Sequence, residues 1–162
     1  MTTAAITAEL EKDARSLQDA LTQLTRVVQF RDRDCVCCYD VSVAQSHALE
    51  RLSRVGPTNL KDFATALFLE KSSASRLVDG LVRKGYVKRK PDPADARSVA
   101  LDLTKRGRAL WQRIERDLLE ERGRVLADLA PGERAAAIRS IKRLAEAASA
   151  LVVRQGGACV RV

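Results

Sequence analysis

The segment 71–84 has the hydrophobic period of an amphipathic helix. Its apolar residues recur at spacings of three and four positions, at Ala74, Leu77, Val78, Leu81 and Val82. The opposite face carries Ser72, Ser73, Ser75, Arg76, Asp79 and Arg83. Short hydroxyl side chains beside an arginine can meet phosphates and base edges without blocking entry of the helix into a major groove about 12 Å wide. This pattern is typical of a helix that reads DNA.

A basic hairpin follows this helix. Gly85 predicts the left-handed residue that ends a helix, and residues 86–89 then alternate as in a strand. The alternation returns at 98–103, where Val99, Leu101 and Leu103 share one face. Between them, Lys90-Pro91-Asp92-Pro93 is expected to break the strand, which places the tip of a two-stranded hairpin at 91–97.

Two shorter helices are expected before the helix at 71–84. Residues 41–55 form the first, with an apolar face made of Val41, Ala44, Ala48, Leu49 and Leu52. Gln45 and Ser46 are expected to face outward, and no chemistry is assigned to them. The second helix spans about 60–67, with Thr58 or Asn59 as its N-terminal cap. Both helices are interpreted as scaffold.

Both ends of the chain predict long helices with unpartnered apolar stripes. The N-terminal stripe steps by four and three residues through Leu10, Ala14, Leu17, Leu21, Leu24 and Val28. Pro131-Gly132 divides the C-terminal pattern into one stripe with Leu110, Ile114, Leu118, Val125 and Leu129, and another with Ala135, Ile138, Ile141, Ala145, Ala148 and Val152. A second copy of the chain would cover them, with Leu10, Leu17, Leu21, Leu24, Ile138 and Ile141 as candidate dimer contacts. The alternative is packing within one monomer.

These elements predict one mainly α-helical protein with a winged helix-turn-helix, a two-stranded β-hairpin wing and long terminal dimerisation helices. The expected segments are an N-terminal dimerisation helix at 1–30, a cysteine-containing connector at 31–40, a DNA-binding lobe at 41–108, C-terminal dimerisation helices at 109–153 and a flexible tail at 154–162. A length of 162 residues with 46% hydrophobic residues suits a globular protein with a substantial core.

The positive charge is concentrated around the predicted hairpin. Between residues 71 and 108 there are eleven Lys and Arg against four Asp, and 11 − 4 = +7 of the chain's net +8. This concentration is the electrostatic footprint expected for a polyanion. A membrane surface is disfavoured, because the chain lacks an apolar run of about 18 residues and a lipidation signal. Glu9, Glu11 and Asp13 stand where a secretory signal needs an apolar core, so a cytoplasmic location is expected.

From about Val41 to Leu110 the chain resembles the MarR family of winged-helix transcription regulators. The resemblance rests on a Ser-rich helix ending in LVRKGYV, a D-x-x-D-x-R-S wing and the L-T-x-x-G run at 103–107. It implies that Arg97 enters a minor groove while Asp95 holds its guanidinium; the alternative is an exposed ion pair worth about 0 to 1 kcal/mol. The candidate DNA contacts are Ser72, Ser73, Ser75, Arg76, Arg83, Lys88, Lys90, Asp95 and Arg97.

The resemblance does not explain the sequence Cys35-Val36-Cys37-Cys38, with a fourth thiol at Cys159. One interpretation is a site for a soft thiophilic ion, such as arsenic(III), antimony(III) or mercury, or less favourably zinc, since three close sulfurs suit a three-coordinate ion. A second is a redox switch in which one thiolate is oxidised and another, such as Cys159 across the dimer, resolves it. The third is that the thiols have no regulatory role.

Three further side chains have ambiguous patterns. His47 can serve as an extra metal ligand, although a lone helical histidine is more often packed or solvated. Trp111 and Tyr39 can line a pocket for a small aromatic effector, as the resemblance implies for relatives, but core packing explains them better.

Together these features predict a homodimer that binds a pseudo-palindromic operator in double-stranded DNA and represses transcription, released by a soft metal or metalloid at the cysteines. The alternatives are a thiol-redox regulator, a regulator that responds to an aromatic ligand, and an architectural DNA-binding protein. An enzyme is not expected, because the sequence has no Gly-rich phosphate loop, nucleophile elbow or second histidine.

Overall fold

The computed structural model describes residues 7–91 and 99–154, without the side chains of Cys35 and Cys37. The described helices are α1 (Ala8–Cys37), α2 (Val43–Val55), α3 (Leu60–Ala66), α4 (Lys71–Arg83), α5 (Lys105–Ala127) and α6 (Pro131–Arg154). The strands are β1 (Thr58–Asn59), β2 (Val87–Pro91) and β3 (Val99–Leu103). This order confirms the mainly α-helical fold with a β wing. Within the described ranges, no helix is long and apolar enough to cross a membrane.

Helix α1 extends beyond its expected end at residue 30. It begins where the Thr7 hydroxyl accepts a hydrogen bond from the Leu10 amide, and it continues to Cys37. Val36, in the last turn, is only 2% exposed, and ion pairs join this part of α1 to α5 through Arg31–Glu121 and Asp32–Arg122. The expected connector at 31–40 is therefore mostly helix, because packing on α5 and the core stabilises these turns.

The first turn of α2 differs from the expectation for Gln45 and Ser46. Ser42 caps the helix in a capping box with Gln45, and the helix begins at Val43. Ser46 is only 2% exposed, and its hydroxyl donates to the Val43 carbonyl at 2.8 Å. Ala44, expected on the apolar face, is exposed. Ser46 faces inward because its polar group is satisfied locally, which a hydropathy pattern does not reveal.

The sheet has three antiparallel strands in the order β1-β3-β2. Thr58 pairs with Leu101 and Asn59 with Ala100, so β1 adds a third strand to the predicted hairpin. Asn59 also caps α3, as expected for one of the two candidates. At the other edge, β2 continues through the predicted break at Lys90, and Pro91 still pairs with Val99.

The face assigned to β3 requires a correction at its first residue. Leu101 and Leu103 are buried as expected, but Val99 is 49% exposed and Ala100 is buried at 1%. Val99 lies opposite Pro91 at the open end of the ladder, beyond the part of β3 that β1 covers. Adjacent residues Ala100 and Leu101 point to opposite faces of β3 and are both buried, so the alternation of buried and exposed residues fails there.

The elements from the end of α1 to the first half of α5 share one hydrophobic core. Its fully buried large side chains include Phe63, Leu49, Leu52, Leu81, Leu101, Ile114, Val36 and Val78. They come from α1, α2, α3, α4, β3 and the first half of α5. We call residues 43–91 and 99–118 the central lobe. This shared core holds α4 and the β2–β3 ladder in one rigid frame.

The terminal helices contribute little to this core. Helix α6 has no buried residue, and Ile138 and Ile141 are 42% and 54% exposed. On α1, every residue from Ala8 to Arg31 is exposed. Its exposed apolar side chains include Leu10, Leu17, Leu21, Leu24, Val27, Val28 and Phe30. These are the stripes that the sequence left without a partner.

Candidate nucleic-acid interface

Helix α4 separates its packing face from its polar face as expected. Ala74, Val78 and Leu81 are buried in the core. The other side presents the candidate contacts: Ser72, Arg76 and Arg83 are exposed, and Ser73 and Ser75 are half-buried. The hydroxyl of Ser73 lies 3.5 Å from the Arg76 guanidinium. We call Ser72, Ser73, Ser75, Arg76 and Arg83 the α4 face.

The two ends of α4 differ in how their backbone groups are satisfied. At the C-terminal end, Gly85 has φ +74°, the Gly85 amide donates to the Val82 carbonyl and the Tyr86 amide donates to the Leu81 carbonyl. These bonds form a Schellman motif, so the predicted left-handed glycine is confirmed. At the other end, Glu70 makes no side-chain capping bond. First-turn amides of a helix can therefore meet an anion there.

The wing ladder is tied to α4 and to itself by ion pairs. Arg89 of β2 contacts the Asp79 carboxylate of α4 at 2.7 Å, and Lys90 contacts Asp102 across the ladder at 3.0 Å. Lys88 is exposed without such a partner in the described residues. Of the two expected wing contacts that the structure describes, Lys88 is thus open to a ligand, whereas Lys90 also serves the ladder. Asp95 and Arg97 lie outside the described residues.

The carboxylate of Asp102 is the electrostatic centre of the described wing. Burial acts to raise its pKa, but the hydrogen bond from Lys90 and the charges of Lys90 and Lys88 outweigh burial, so the pKa is lowered from its ordinary value of 3.8. Arg108 lies 4.0 Å away on the other oxygen. The ionised carboxylate therefore holds the cations of the ladder in place at neutral pH.

The L-T-x-x-G run joins the wing to α5 by close backbone contact. The Thr104 hydroxyl accepts from the Gly107 amide at 3.0 Å and donates to the Gly85 carbonyl at 2.7 Å. A Cβ at Gly107 would lie 2.0 Å from the Tyr86 carbonyl oxygen. Only glycine permits this approach, which connects the end of α4, the start of β2 and the start of α5.

The cysteine sequence lies at the end of α1, not in a loop. Cys38 is the exposed C-cap residue, and the neighbouring Val36 is buried. The structure does not describe the side chains of Cys35 and Cys37 or any part of Cys159. Among the side chains that it does describe, no group of three His, Cys, Asp or Glu could hold a metal ion. His47 is exposed on α2, as the favoured interpretation of a packed or solvated histidine allows, and no described group of ligands includes it.

Tyr39 and Trp111 have packing roles. The Tyr39 hydroxyl donates to Asp117 at 2.5 Å, and Arg113 lies 5.5 Å from the centre of its ring. The hydrogen bond to Asp117, assisted by burial, raises the pKa of Tyr39. Trp111 is 5% exposed, and its edge reaches an open cavity between α2 and α5 beside His47. Core packing explains both residues, as preferred from the sequence.

The chain is similar in sequence to known transcription regulators. The family model described as MarR family matches residues 39–98. An HTH-type transcriptional regulator of Mycobacterium bovis, Mb0904, is 30% identical over 128 residues, which are 77% of this chain and 87% of that protein. The chain belongs to the MarR family. Its relatives are transcription regulators and not enzymes, which confirms the class expected from the sequence.

Solved structures of MarR proteins share the fold. A MarR transcriptional regulator from Methanosarcina mazei superposes with a TM-score of 0.75 at 23% identity, over 85% of this chain and 99% of that chain. FabT of Streptococcus pneumoniae, solved in complex with DNA, superposes with a TM-score of 0.76 at 19% identity, over 85% of this chain and 99% of that chain. These similarities show that the chain has the winged helix-turn-helix fold of solved MarR proteins.

Proposed function

We propose that this MarR protein is a homodimeric repressor that binds a pseudo-palindromic operator through two copies of the α4 face. The observation that carries the proposal is the row of exposed and half-buried hydroxyl and guanidinium groups on a helix whose opposite face is buried in the core. A rigid helix with short polar side chains can enter a major groove and hold a defined register. The fold neighbour FabT was solved with DNA, which supports this use of the fold.

Each group of the interface has a distinct part in the proposed complex. Arg76 and the serines of α4 contact base edges and nearby phosphates, while Arg83 and Lys88 contact the backbone. Arg97 enters the adjacent minor groove, with Asp95 orienting its guanidinium. Lys90 contributes its charge but stays paired with Asp102. Specificity therefore depends mainly on α4, and affinity depends on the summed positive charge.

The terminal helices form the proposed dimer interface. Large apolar side chains that are about half exposed in one copy, such as Leu21 at 45% and Ile141 at 54%, lie on helices that bury little or nothing within the monomer. A contiguous apolar surface of this kind marks an interface. Two-fold pairing would place the α4 helices about 34 to 36 Å apart, or at a multiple of that spacing.

The cysteine sequence is the proposed effector site, with capture of a thiophilic ion as the first candidate and thiol oxidation as the second. Cys38 is exposed, while Val36 in the same turn is anchored in the core that also holds α4. A change at this turn would strain the junction between a dimerisation helix and the central lobe. The separation of the two α4 helices would change as a result, and the operator would be released.

The operator proposal is tested by equilibrium binding of the reduced protein to DNA from upstream of its own gene, with random DNA as competitor at fixed salt. We expect a preference of roughly 10³-fold or more for the operator. Arg76→Ala should reduce that preference by about tenfold, because a good base contact is worth roughly 1 to 3 kcal/mol. Arg143→Ala removes the same charge from an exposed site on the face of α6 opposite Ile138 and Ile141, and it serves as the control.

The outcomes separate the repressor from the architectural alternative. Equal affinity for the upstream fragment and random DNA would contradict an operator there and favour an architectural protein. Equal losses in Arg76→Ala and Arg143→Ala would show that the α4 face contributes charge alone. Repression itself is checked by a promoter-reporter assay with and without the protein.

The effector proposal needs its own measurement. Arsenite and peroxide are added separately to the operator complex of the wild type and of Cys38→Ser. Release by arsenite that Cys38→Ser abolishes supports the thiophilic ion, whereas release by peroxide alone favours oxidation. If neither reagent releases DNA, the cysteines are not the effector site, and the operator proposal is unaffected.

A further inference from the structure

Lys84, the C-cap residue of α4, points its ammonium back into the protein. Its Nζ lies 2.7 Å from the Asp40 backbone carbonyl, 3.2 Å from the Asp40 carboxylate and 3.3 Å from the Gln45 side-chain carbonyl. Asp40 follows α1, and Gln45 is in the first turn of α2. Three acceptors satisfy the three donors of an ammonium. Lys84 therefore joins the end of α4 to a segment 44 residues earlier in the chain.

Gln45 strengthens this junction from the α2 side. Its side-chain oxygen accepts from the Ser42 amide at 3.1 Å as well as from Lys84. Its side-chain nitrogen lies so near Gly80 of α4 that a Cβ there would be 2.8 Å from it. The side chain thus lies between α2 and the C-terminal half of α4, and a larger residue at position 80 would displace its amide group.

We propose that Lys84 is a positioning residue that holds the C-terminal half of α4 in the orientation required for specific DNA recognition. The inference rests on the proposed use of α4 in the major groove. With its ammonium held by Asp40 and Gln45, Lys84 acts through the position of the helix and not as a phosphate contact. Base contacts depend on the register of α4, whereas nonspecific attraction depends on total charge.

A charge-matched pair of variants distinguishes positioning from charge. Lys84→Met keeps most of the apolar stem and loses the ammonium, and Arg143→Met removes an equal charge from the face of α6 opposite Ile138 and Ile141. We expect Lys84→Met to weaken operator binding about tenfold relative to Arg143→Met, since hydrogen bonds to a charged group are worth about 1.5 kcal/mol or more. Affinity for random DNA and the salt dependence should match the control. Equal losses on both DNAs with a salt slope reduced by about one would identify a phosphate contact and overturn the proposal.

A second, uncharged pair keeps the inference testable if Lys84→Met folds poorly. Gln45→Leu and Ser42→Ala both break the capping box of α2, but only Gln45→Leu removes an acceptor of Lys84. Operator affinity should fall several-fold more in Gln45→Leu than in Ser42→Ala. Equal effects would assign the loss to α2 capping and contradict the positioning role.

Hydrogen exchange of the DNA-free protein separates this inference from the proposed function. The amides at 80–86 should exchange faster in Lys84→Met than in Arg143→Met, because the end of α4 loses its anchor. If the wild type shows no operator preference, the proposed function fails while this local effect persists. Unchanged exchange at 80–86 would show that Lys84 does not hold α4, whatever the DNA result.

Discussion

The central lobe and the terminal helices have similar apolar content but opposite burial. In the lobe, Phe63, Leu49 and Ile114 are fully buried, whereas α6 buries no residue and α1 is exposed along its first three quarters. Helix α5 passes from one condition to the other: Ile114 is buried, yet Val125, three turns later, is 64% exposed. Apolar stripes of the same kind are thus buried in the core of the lobe but exposed on the terminal helices of a single copy.

This contrast separates the two requirements of the proposed operator binding. The lobe holds α4 and the wing through its own packing, so one copy is sufficient to present the α4 face. In the proposed dimer, the terminal helices would set the spacing between two such faces, because packing within one copy does not set it. Substitutions in the lobe should therefore affect folding, and those in the terminal helices should affect assembly.

The largest effect is expected for Gly107→Ala. Its Cβ would lie 2.0 Å from a backbone oxygen at Tyr86, and backbone cannot move aside as a flexible side chain can. We expect a loss of about 3 kcal/mol or more in the free energy of unfolding, measured by urea denaturation. Gly123→Ala, on the same helix with open space around it, should instead stabilise by up to about 1 kcal/mol. A similar stability for both variants would contradict the close contact at Gly107.

The second-largest effect is expected when a charge is introduced into the terminal helices, where it should weaken dimerisation. Leu21→Glu places a carboxylate on a side chain that is 45% exposed in one copy and buried in the proposed dimer. Losing about 1.5 kcal/mol of burial from each copy raises the dimer dissociation constant about 100-fold or more. Sedimentation equilibrium measures this constant, with Thr65→Glu on the exposed surface of α3 as the control. An unchanged dimer would mean that Leu21 lies outside the interface.

A smaller, pH-dependent effect is expected in the wing. Because the pKa of Asp102 is lowered in the folded protein, its contribution to stability is complete above the ordinary value of 3.8 and is lost as pH falls through the folded value. Thermal unfolding at a series of pH values from 6 to 3 should show the wild type losing stability relative to Asp102→Asn below about pH 4. Parallel pH profiles for the two proteins would show that the carboxylate does not support the ladder.

The smallest effect is expected for an exposed ion pair of the terminal helices. Arg15 and Glu11 lie 2.6 Å apart on α1, but their side chains are 76% and 58% exposed. Glu11→Gln should change the free energy of unfolding by less than about 0.5 kcal/mol, because solvent screens such a pair. Urea denaturation checks this value. A loss above about 1 kcal/mol would mean that the surface of α1 is more buried in the folded assembly than in a single copy.

Local sequence patterns predicted the two faces of α4 and the end of this helix. The period at 71–84 placed Ala74, Val78 and Leu81 in the core and Arg76 in solvent, since helical geometry assigns each position to a face. Gly85 was predicted as the left-handed residue because a helix end has few alternatives to glycine. The proposed base and phosphate contacts of these residues stay predictions.

Contacts between distant segments were not predictable in the same way. Thr58 and Asn59 form a strand because β3 lies beside them, and two residues carry no strand period of their own. The Lys84–Asp40 and Arg89–Asp79 ion pairs join residues from different parts of the chain. Many basic side chains lie nearby in the sequence, so the sequence does not show which of them pairs with each aspartate. Gln45, assumed to face outward without a role, lies between two helices.

The amino-acid sequence by itself determined the order of the helices, the two faces of α4 and the location of the positive charge. These properties depend on residue spacing and on composition, which are local. The tertiary structure decided that α1 continues to Cys37, that Ser46 faces inward and that Lys84 is held by Asp40 and Gln45. Burial and hydrogen bonding across the core set these features, because a polar side chain takes the partner that the folded chain brings within reach.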